Sequence, residues 1–97
     1  MPRIQIVRNA TAKTDLIEIW NYIAAESPGA ADRLLDEIDK QIIRLADFPE
    51  IGARRPEIAS DARVLVSGRY LILYRFDGNM VEIIRVVHGA RDLTDLF

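Results

Sequence analysis

The segment that decides the fold reads Arg63-Val-Leu-Val-Ser-Gly-Arg-Tyr-Leu-Ile-Leu-Tyr-Arg-Phe76, then Asp77-Gly-Asn79, then Met80-Val-Glu-Ile-Ile-Arg-Val-Val-His88. Apolar runs are interrupted by two glycine-containing turns, which predicts three short antiparallel strands. In the middle strand Tyr70 and Tyr74 share one face, and Leu71 and Leu73 share the other. We therefore expect a central strand that is covered on both faces, with its tyrosines in structural roles.

Arginines recur along and just beyond these strands, as Arg63, Arg69, Arg75, Arg85 and Arg91. They could bind carboxylates of another chain, because bidentate arginine–carboxylate pairs give both strength and register. Alternatively, Arg75 and Arg85 pair within the fold, with Glu82 or Asp92. Nucleic acid is not favoured as the direct partner, because the formal net charge is −2.

Two helices are predicted before this sheet, after a first strand over residues 3–8. The first helix has the i, i+3, i+4, i+7 apolar spacing at Leu16, Ile19, Trp20 and Ile23, and it ends near Glu26. Asn9 or Thr11 would cap it, and Asp15 would lie in its first turn, near the positive end of the helix dipole. Trp20 is expected to anchor the core between helix and sheet; the alternative places it in a groove for another chain.

Ser27-Pro28 predicts the start of the second helix, because a hydroxyl cap is followed by proline at the first helical position. This helix runs to about Ala46, and Phe48-Pro49 ends it. Residues 49–57 are predicted to be irregular, and residues 90–97 to form a final helical turn. The order β-α-α-β-β-β predicts one α+β domain over residues 1–97, in which a helical hairpin packs on a small curved antiparallel sheet.

The sequence lacks the residues that most kinds of catalytic site require. The chain has no cysteine and one histidine, His88, so a zinc or iron site is not expected. No glycine-rich loop opens a helix to bind phosphate, and no serine has the strained turn of a hydrolase nucleophile. His88 could act as a general acid or base, but a turn residue is the preferred interpretation. We expect no cofactor, no signal peptide and no membrane span, and hence a cytoplasmic protein.

Six segments in register resemble the RelE/ParE superfamily, the toxins of bacterial type II toxin–antitoxin operons. They are Asp15-Leu-Ile-Glu-Ile-Trp-Asn-Tyr-Ile-Ala24, Ala31-Asp-Arg-Leu34, Leu45-Ala-Asp-Phe-Pro-Glu-Ile-Gly52, Arg63-Val-Leu65, Tyr70-Leu-Ile-Leu-Tyr74 and Arg85-Val-Val-His-Gly-Ala-Arg-Asp92. The resemblance implies a compact toxin that a co-transcribed antitoxin neutralises by wrapping a helical and extended tail around it. It also implies that operator DNA is bound only through the antitoxin.

The superfamily has two branches, and the resemblance favours the ParE branch. RelE-like members are ribosome-dependent mRNA endoribonucleases that use arginine, lysine and tyrosine, or glutamate and histidine. This chain has its lysines, Lys13 and Lys40, in the predicted helices, and Val66 where a loop cation is expected. Leu96 and Phe97 replace a C-terminal tyrosine. ParE-like members are held to inhibit DNA gyrase by binding it, so we expect a non-catalytic toxin with a ParD-like antitoxin.

Two surfaces are predicted on this basis. Antitoxin-binding residues are Leu16, Ile19, Trp20, Ile23, Arg63, Arg69, Tyr70 and Arg85. Target-binding residues are His88, Arg91, Leu96 and Phe97. No catalytic or metal-binding residue is assigned.

Overall fold

The computed structural model describes residues 3–89, 91–94 and 96, in which two helices pack on a five-stranded open sheet. The elements are β1 (Gln5–Arg8), α1 (Ala10–Ala24), α2 (Pro28–Arg44), β2 (Ala53–Arg54), β3 (Ala62–Ser67), β4 (Tyr70–Phe76) and β5 (Met80–His88). The predicted α+β class and β-α-α-β-β-β succession are confirmed. The two-residue strand β2 lies in the segment that was expected to be irregular.

The sheet has the strand order β1-β5-β4-β3-β2. Strands β2 to β5 pair antiparallel, whereas β1 runs parallel to β5, so the sheet is mostly and not wholly antiparallel. The β3–β4 connection is a two-residue turn with Gly68 at a φ of 58°, a conformation that glycine adopts without steric cost. None of the helices in the described residues is long and apolar enough to cross a membrane.

Both helices begin at the predicted type of cap. The Asn9 side chain accepts a hydrogen bond from the Ala12 amide at 2.8 Å, and the Ser27 hydroxyl accepts one from the Ala30 amide at 3.2 Å. Pro28 occupies the first turn of α2, as expected. Asp15 was wrongly placed in the first turn of α1, because the helix begins at Ala10 and Asp15 is a buried residue of its second turn.

The sheet is covered on both faces, which confirms the prediction for β4. One face packs on the helices and forms the main core: Ala12, Leu16, Ile38, Ile42, Leu45, Ile72, Tyr74, Val81, Ile83 and Val86. The other face forms a smaller cluster: Ala62, Val64, Leu73, Ile84, Val87 and Leu93. Leu93 and the half-buried Leu96 come from the C-terminal segment, which is not helical at the described positions; Ala90, Asp95 and Phe97 lie outside the described residues.

An ion pair joins α1 to β5 where β1 stops. β1 pairs with β5 only as far as Ile83, so the rest of that strand edge must be satisfied by other groups. The Asp15 carboxylate accepts hydrogen bonds from Arg85 Nε at 2.7 Å, from Arg85 Nη2 at 3.0 Å and from the Val86 amide at 3.0 Å. The β4–β5 register skips Ile84, a bulge that precedes Arg85 in β5. The carboxylate thus accepts a hydrogen bond from the β5 edge at a position that β1 does not reach.

A second polar anchor holds the turn between α2 and β2. The buried Tyr74 hydroxyl donates to the Pro49 carbonyl at 2.8 Å and accepts from the Gly52 amide at 2.9 Å. Arg63 Nη1 donates to the carbonyls of Glu50 and Gly52 at 2.9 Å each. Burial raises the pKa of the Tyr74 phenol, so the neutral donor form is the stable one. The Phe-Pro-x-x-Gly segment is therefore bound at both ends by side chains of the sheet.

We predict that Asp15→Asn lowers the free energy of unfolding by about 3 kcal/mol, because it weakens the charge-assisted hydrogen bonds that the buried Asp15 carboxylate accepts from Arg85 and from the Val86 amide. Urea unfolding followed by circular dichroism measures this. The matched control is Asp61→Asn, which breaks the exposed pair between Arg75 and Asp61 and should cost no more than about 1 kcal/mol. Equal losses in both variants would contradict the structural role of Asp15.

We also predict that Gly52→Ala destabilises the fold by about 1–3 kcal/mol, the usual cost of overpacking. A Cβ at residue 52 would lie 2.6 Å from the Tyr74 ring and hydroxyl. Gly29→Ala is the control, since its Cβ meets only the Arg33 side chain at 3.4 Å and lies within a helix, where alanine is favoured. Thermal unfolding should show a lower midpoint for Gly52→Ala and an unchanged or higher one for Gly29→Ala.

Candidate functional site

A groove runs between α1 and the end of the sheet where β4 begins and β5 ends. Its first section, about 500 Å³ in volume, is lined by Asp15, Glu18, Ile19, Tyr22, Tyr70, Arg85, Val86, Val87, His88 and Arg91. It continues past Tyr22 into a section lined by Ile23, Leu34, Arg69, Tyr70 and His88. A third section reaches the turn between the helices, at Ala25, Glu26, Ser27 and Ala30. We call these three sections together the α1–β5 groove.

The Asp15–Arg85 ion pair forms part of the lining of the groove and joins α1 to β5 there. Tyr70 and His88 are opposite each other on β4 and β5, and their rings meet edge to face with centroids 5.7 Å apart. The Gly89 amide, which follows β5, donates a hydrogen bond to the Arg69 carbonyl in the turn between β3 and β4, at 2.8 Å. The aromatic part of the groove is thus positioned by strand pairing.

The five arginines along and just beyond the strands divide into two groups. Arg63, Arg75 and Arg85 are bound to the Glu50 and Gly52 carbonyls, to Asp61 and to Asp15, respectively. Internal pairing of Arg75 and Arg85 was one of the two alternatives, and the carboxylates found here, Asp61 and Asp15, are not the ones that the sequence suggested. Arg69 and Arg91 are exposed, and neither pairs with a carboxylate among the described residues. Two exposed guanidiniums therefore remain for an outside ligand, both on the groove.

The structure merges the two predicted surfaces. Ile19, Ile23, Arg69, Tyr70 and Arg85, assigned to the antitoxin, line the same groove as His88 and Arg91, which were assigned to the target. Leu16 instead belongs to the main core, and Arg63 holds the turn before β2. Leu96 packs against the opposite face of the sheet, and Phe97 lies outside the described residues.

Trp20 is not the core anchor that was expected. Its side chain is 37% exposed, and its Nε1 donates to Asp32 of α2 at 2.8 Å, so the indole joins the two helices at the surface. It lines none of the three groove sections. The sequence prediction failed because the apolar stripe of α1 is wider than the face that meets the sheet.

Sequence reasoning missed Tyr22, which is 81% exposed and lines all three sections of the groove. The signal was present, since Tyr22 stands outside the apolar stripe of α1, and an aromatic residue on the polar side of an amphipathic helix is typical of an interface. Glu18 and Glu26 were also missed, because both stand outside the apolar stripe from which the site residues were chosen. Glu18 lines the groove from α1, and Glu26 lines its third section from the turn that follows this helix.

The groove offers apolar and aromatic surface with cations on one side. Among the described residues no group of three histidine, aspartate or glutamate side chains is arranged to hold a metal ion. Near the Arg91 end, hydrogen bonds from the Thr94 amide and hydroxyl lower the pKa of Asp92, so this carboxylate is charged at neutral pH. The site is suited to binding a peptide or protein surface.

Comparison with known proteins gives several relatives over most of the chain. The toxin RelE2 of Caulobacter vibrioides is 34% identical over 87 residues, which cover 90% of this chain and 97% of that one. The toxin ParE1 of the same organism is 34% identical over 82 residues, covering 81% and 82%. The toxin ParE1 of Mycobacterium tuberculosis is 31% identical over 84 residues, covering 84% and 86%.

Solved structures share the fold. A chain of the chromosomal ParDE toxin–antitoxin system from P. aeruginosa superposes with a TM-score of 0.75 at 22% identity, covering 89% of this chain and 96% of that one. A chain of the RelBE2 complex from Mycobacterium tuberculosis gives 0.61 at 24% identity, covering 91% and 99%. The model of the family "ParE toxin of type II toxin-antitoxin system, parDE" matches residues 6–93. The chain belongs to this family of toxins, within the RelE/ParE superfamily.

Proposed function

We propose that this chain is a ParE-like toxin that inhibits DNA gyrase by binding it, without breaking a covalent bond, and that a ParD-like antitoxin neutralises it. The observation that carries this proposal is that three of the arginines bind groups of the same chain. Arg63, Arg75 and Arg85 already hold carbonyl or carboxylate oxygens of the same chain. Cleavage of RNA requires cations preorganised around the scissile phosphate, and losing one such group costs about 10²–10³-fold in rate.

Neutralisation follows from the shared groove. Residues that we assign to the antitoxin and to the target lie side by side along α1 and the ends of β4 and β5. An antitoxin segment seated there would cover His88 and Arg91 and would block the target by occupying its surface. Related structures come from ParDE and RelBE2 systems, which supports an antitoxin as the natural partner. Operator DNA would then be reached through the antitoxin, in the cytoplasm.

A second candidate function is the ribosome-dependent cleavage of mRNA. A histidine flanked by two exposed guanidiniums, Arg69 and Arg91, is an arrangement that general acid–base catalysis could use. One of the relatives at 34% identity is also named RelE2. The two functions differ in their products, so one experiment separates them.

We predict that purified toxin, freed of antitoxin, traps gyrase–DNA breaks in a supercoiling reaction and leaves mRNA intact on translating ribosomes. Arg91→Ala should weaken the inhibition of gyrase at least about fivefold, because it removes a charged contact. Arg75→Ala is the control, since this arginine is held by Asp61 of the same chain. Codon-spaced mRNA cuts that disappear in His88→Ala would overturn the gyrase proposal in favour of the ribonuclease.

We further predict that Arg69→Ala lowers the affinity for the antitoxin encoded in the adjoining reading frame by about tenfold, the value of one charge-assisted hydrogen bond. Isothermal titration of the full-length proteins measures this affinity. The matched control is again Arg75→Ala, which should change it less than about twofold. Unchanged binding in Arg69→Ala would remove the role of this guanidinium in the complex.

A further inference from the structure

The chain leaves β5 at the groove and reaches the opposite face of the sheet within a few residues. His88 and Arg91 line the first section of the groove. Leu93, only two residues after Arg91, is 3% exposed and belongs to the smaller apolar cluster on the face away from the helices. Because two residues of backbone span at most about 7 Å, the positions of residues 91 and 93 are closely coupled.

Local hydrogen bonds shape the segment that follows β5. The Arg91 amide donates to the His88 carbonyl at 3.0 Å. The Asp92 carboxylate accepts hydrogen bonds from the Thr94 amide at 3.0 Å and from the Thr94 hydroxyl at 2.9 Å. The apolar contacts of the buried Leu93, with those of the half-buried Leu96, join this segment to the sheet.

We propose that Leu93 is a positioning residue for Arg91: by filling the smaller cluster on one face of the sheet, it holds the backbone of Arg91 at the groove on the other face. This inference deepens the proposed function and rests on it, since Arg91 is there a contact of the target. Leu93 does not itself touch the target, because it is buried in the cluster that contains Val64 and Val87.

Anchoring this segment favours binding because less conformational freedom remains to be lost when a partner docks. Fixing the backbone of one residue lowers a binding equilibrium by about five- to thirtyfold. Arg91 is itself exposed, so burial of its own side chain does not fix it. With Leu93 in place, this ordering accompanies folding and does not have to accompany association.

A spin label measures the effect at residue 91 directly, because the chain has no cysteine. Arg91→Cys therefore accepts one nitroxide label, and electron paramagnetic resonance of the whole protein reports its rotational mobility. Leu93→Ala should raise this mobility at least about twofold, since the truncation removes buried contacts and leaves a cavity. Leu93→Met should keep the label as restricted as the wild-type background does, because it nearly conserves the side-chain volume.

Val64→Ala is the matched control. Val64 is 6% exposed and lies in the same cluster, but it belongs to β3 and has no short backbone connection to residue 91. Its truncation also loosens the core, whereas the label should stay restricted. Thermal unfolding shows whether each labelled variant is folded at the temperature of the measurement. Where Leu93→Ala is not folded, Leu93→Val gives a smaller truncation with the same expected direction.

The same backgrounds are compared in the gyrase reaction. Arg91→Ala should weaken inhibition at least about fivefold in wild type and in Val64→Ala, but less than about twofold in Leu93→Ala, because residues that act as a unit have non-additive effects.

The inference is overturned if Leu93→Ala leaves the mobility of the label unchanged, or if Val64→Ala raises it equally. An equal loss of inhibition on Arg91→Ala in all three backgrounds would overturn it as well. Wild-type toxin that does not inhibit gyrase would refute the proposed function, whereas the label would still decide whether Leu93 positions residue 91.

Discussion

The ion pair between the buried Asp15 and the partly buried Arg85 is the interaction on which the rest of the structure depends. It connects the second turn of α1 to the bulged part of β5, seventy residues further along the chain. Without it, the Val86 amide on the β5 edge beyond Ile83 would lose its hydrogen-bond acceptor, and α1 would be held to the sheet by apolar packing alone at this point. Desolvation makes such a pair a modest source of net stability, but an effective means of specifying one arrangement. The ion pair therefore fixes the relative positions of the α1 and β5 residues that line the groove beside it.

Much of the fold was accessible from the sequence because local signals agreed with one another. Helix caps at Asn9 and Ser27, the proline at position 28 and the glycine turns each mark a boundary through a local physical cause. The parallel pairing of β1 with β5 was not accessible, since register between distant strands leaves no local trace. The same holds for the partners of Arg75 and Arg85, because an arginine can reach several carboxylates and only the tertiary fold decides between them.

Most residues of the candidate site were predicted from the sequence, but their convergence on one groove was not. Seven residues assigned to two separate surfaces converge on one groove, because β4 and β5 bring Tyr70 and His88 together at the strand ends. For Leu16 and Trp20, the exposure of the side chain was predicted wrongly. Helical periodicity gives an apolar stripe without saying which edge of it faces the sheet, so one residue thought accessible is buried, and one thought buried is at the surface.

The short strand β2 has a consequence for the unpartnered chain. It covers only Arg63 and Val64 of β3, so in the described residues the outer edge from Leu65 to Ser67 carries no neighbouring strand, and Val66 is 59% exposed there. Unpaired backbone groups beside an apolar side chain favour edge-to-edge association between copies. Two copies of this chain could therefore pair along their Leu65–Ser67 edges, and concentrated solutions of the isolated protein should form such strand-to-strand contacts first.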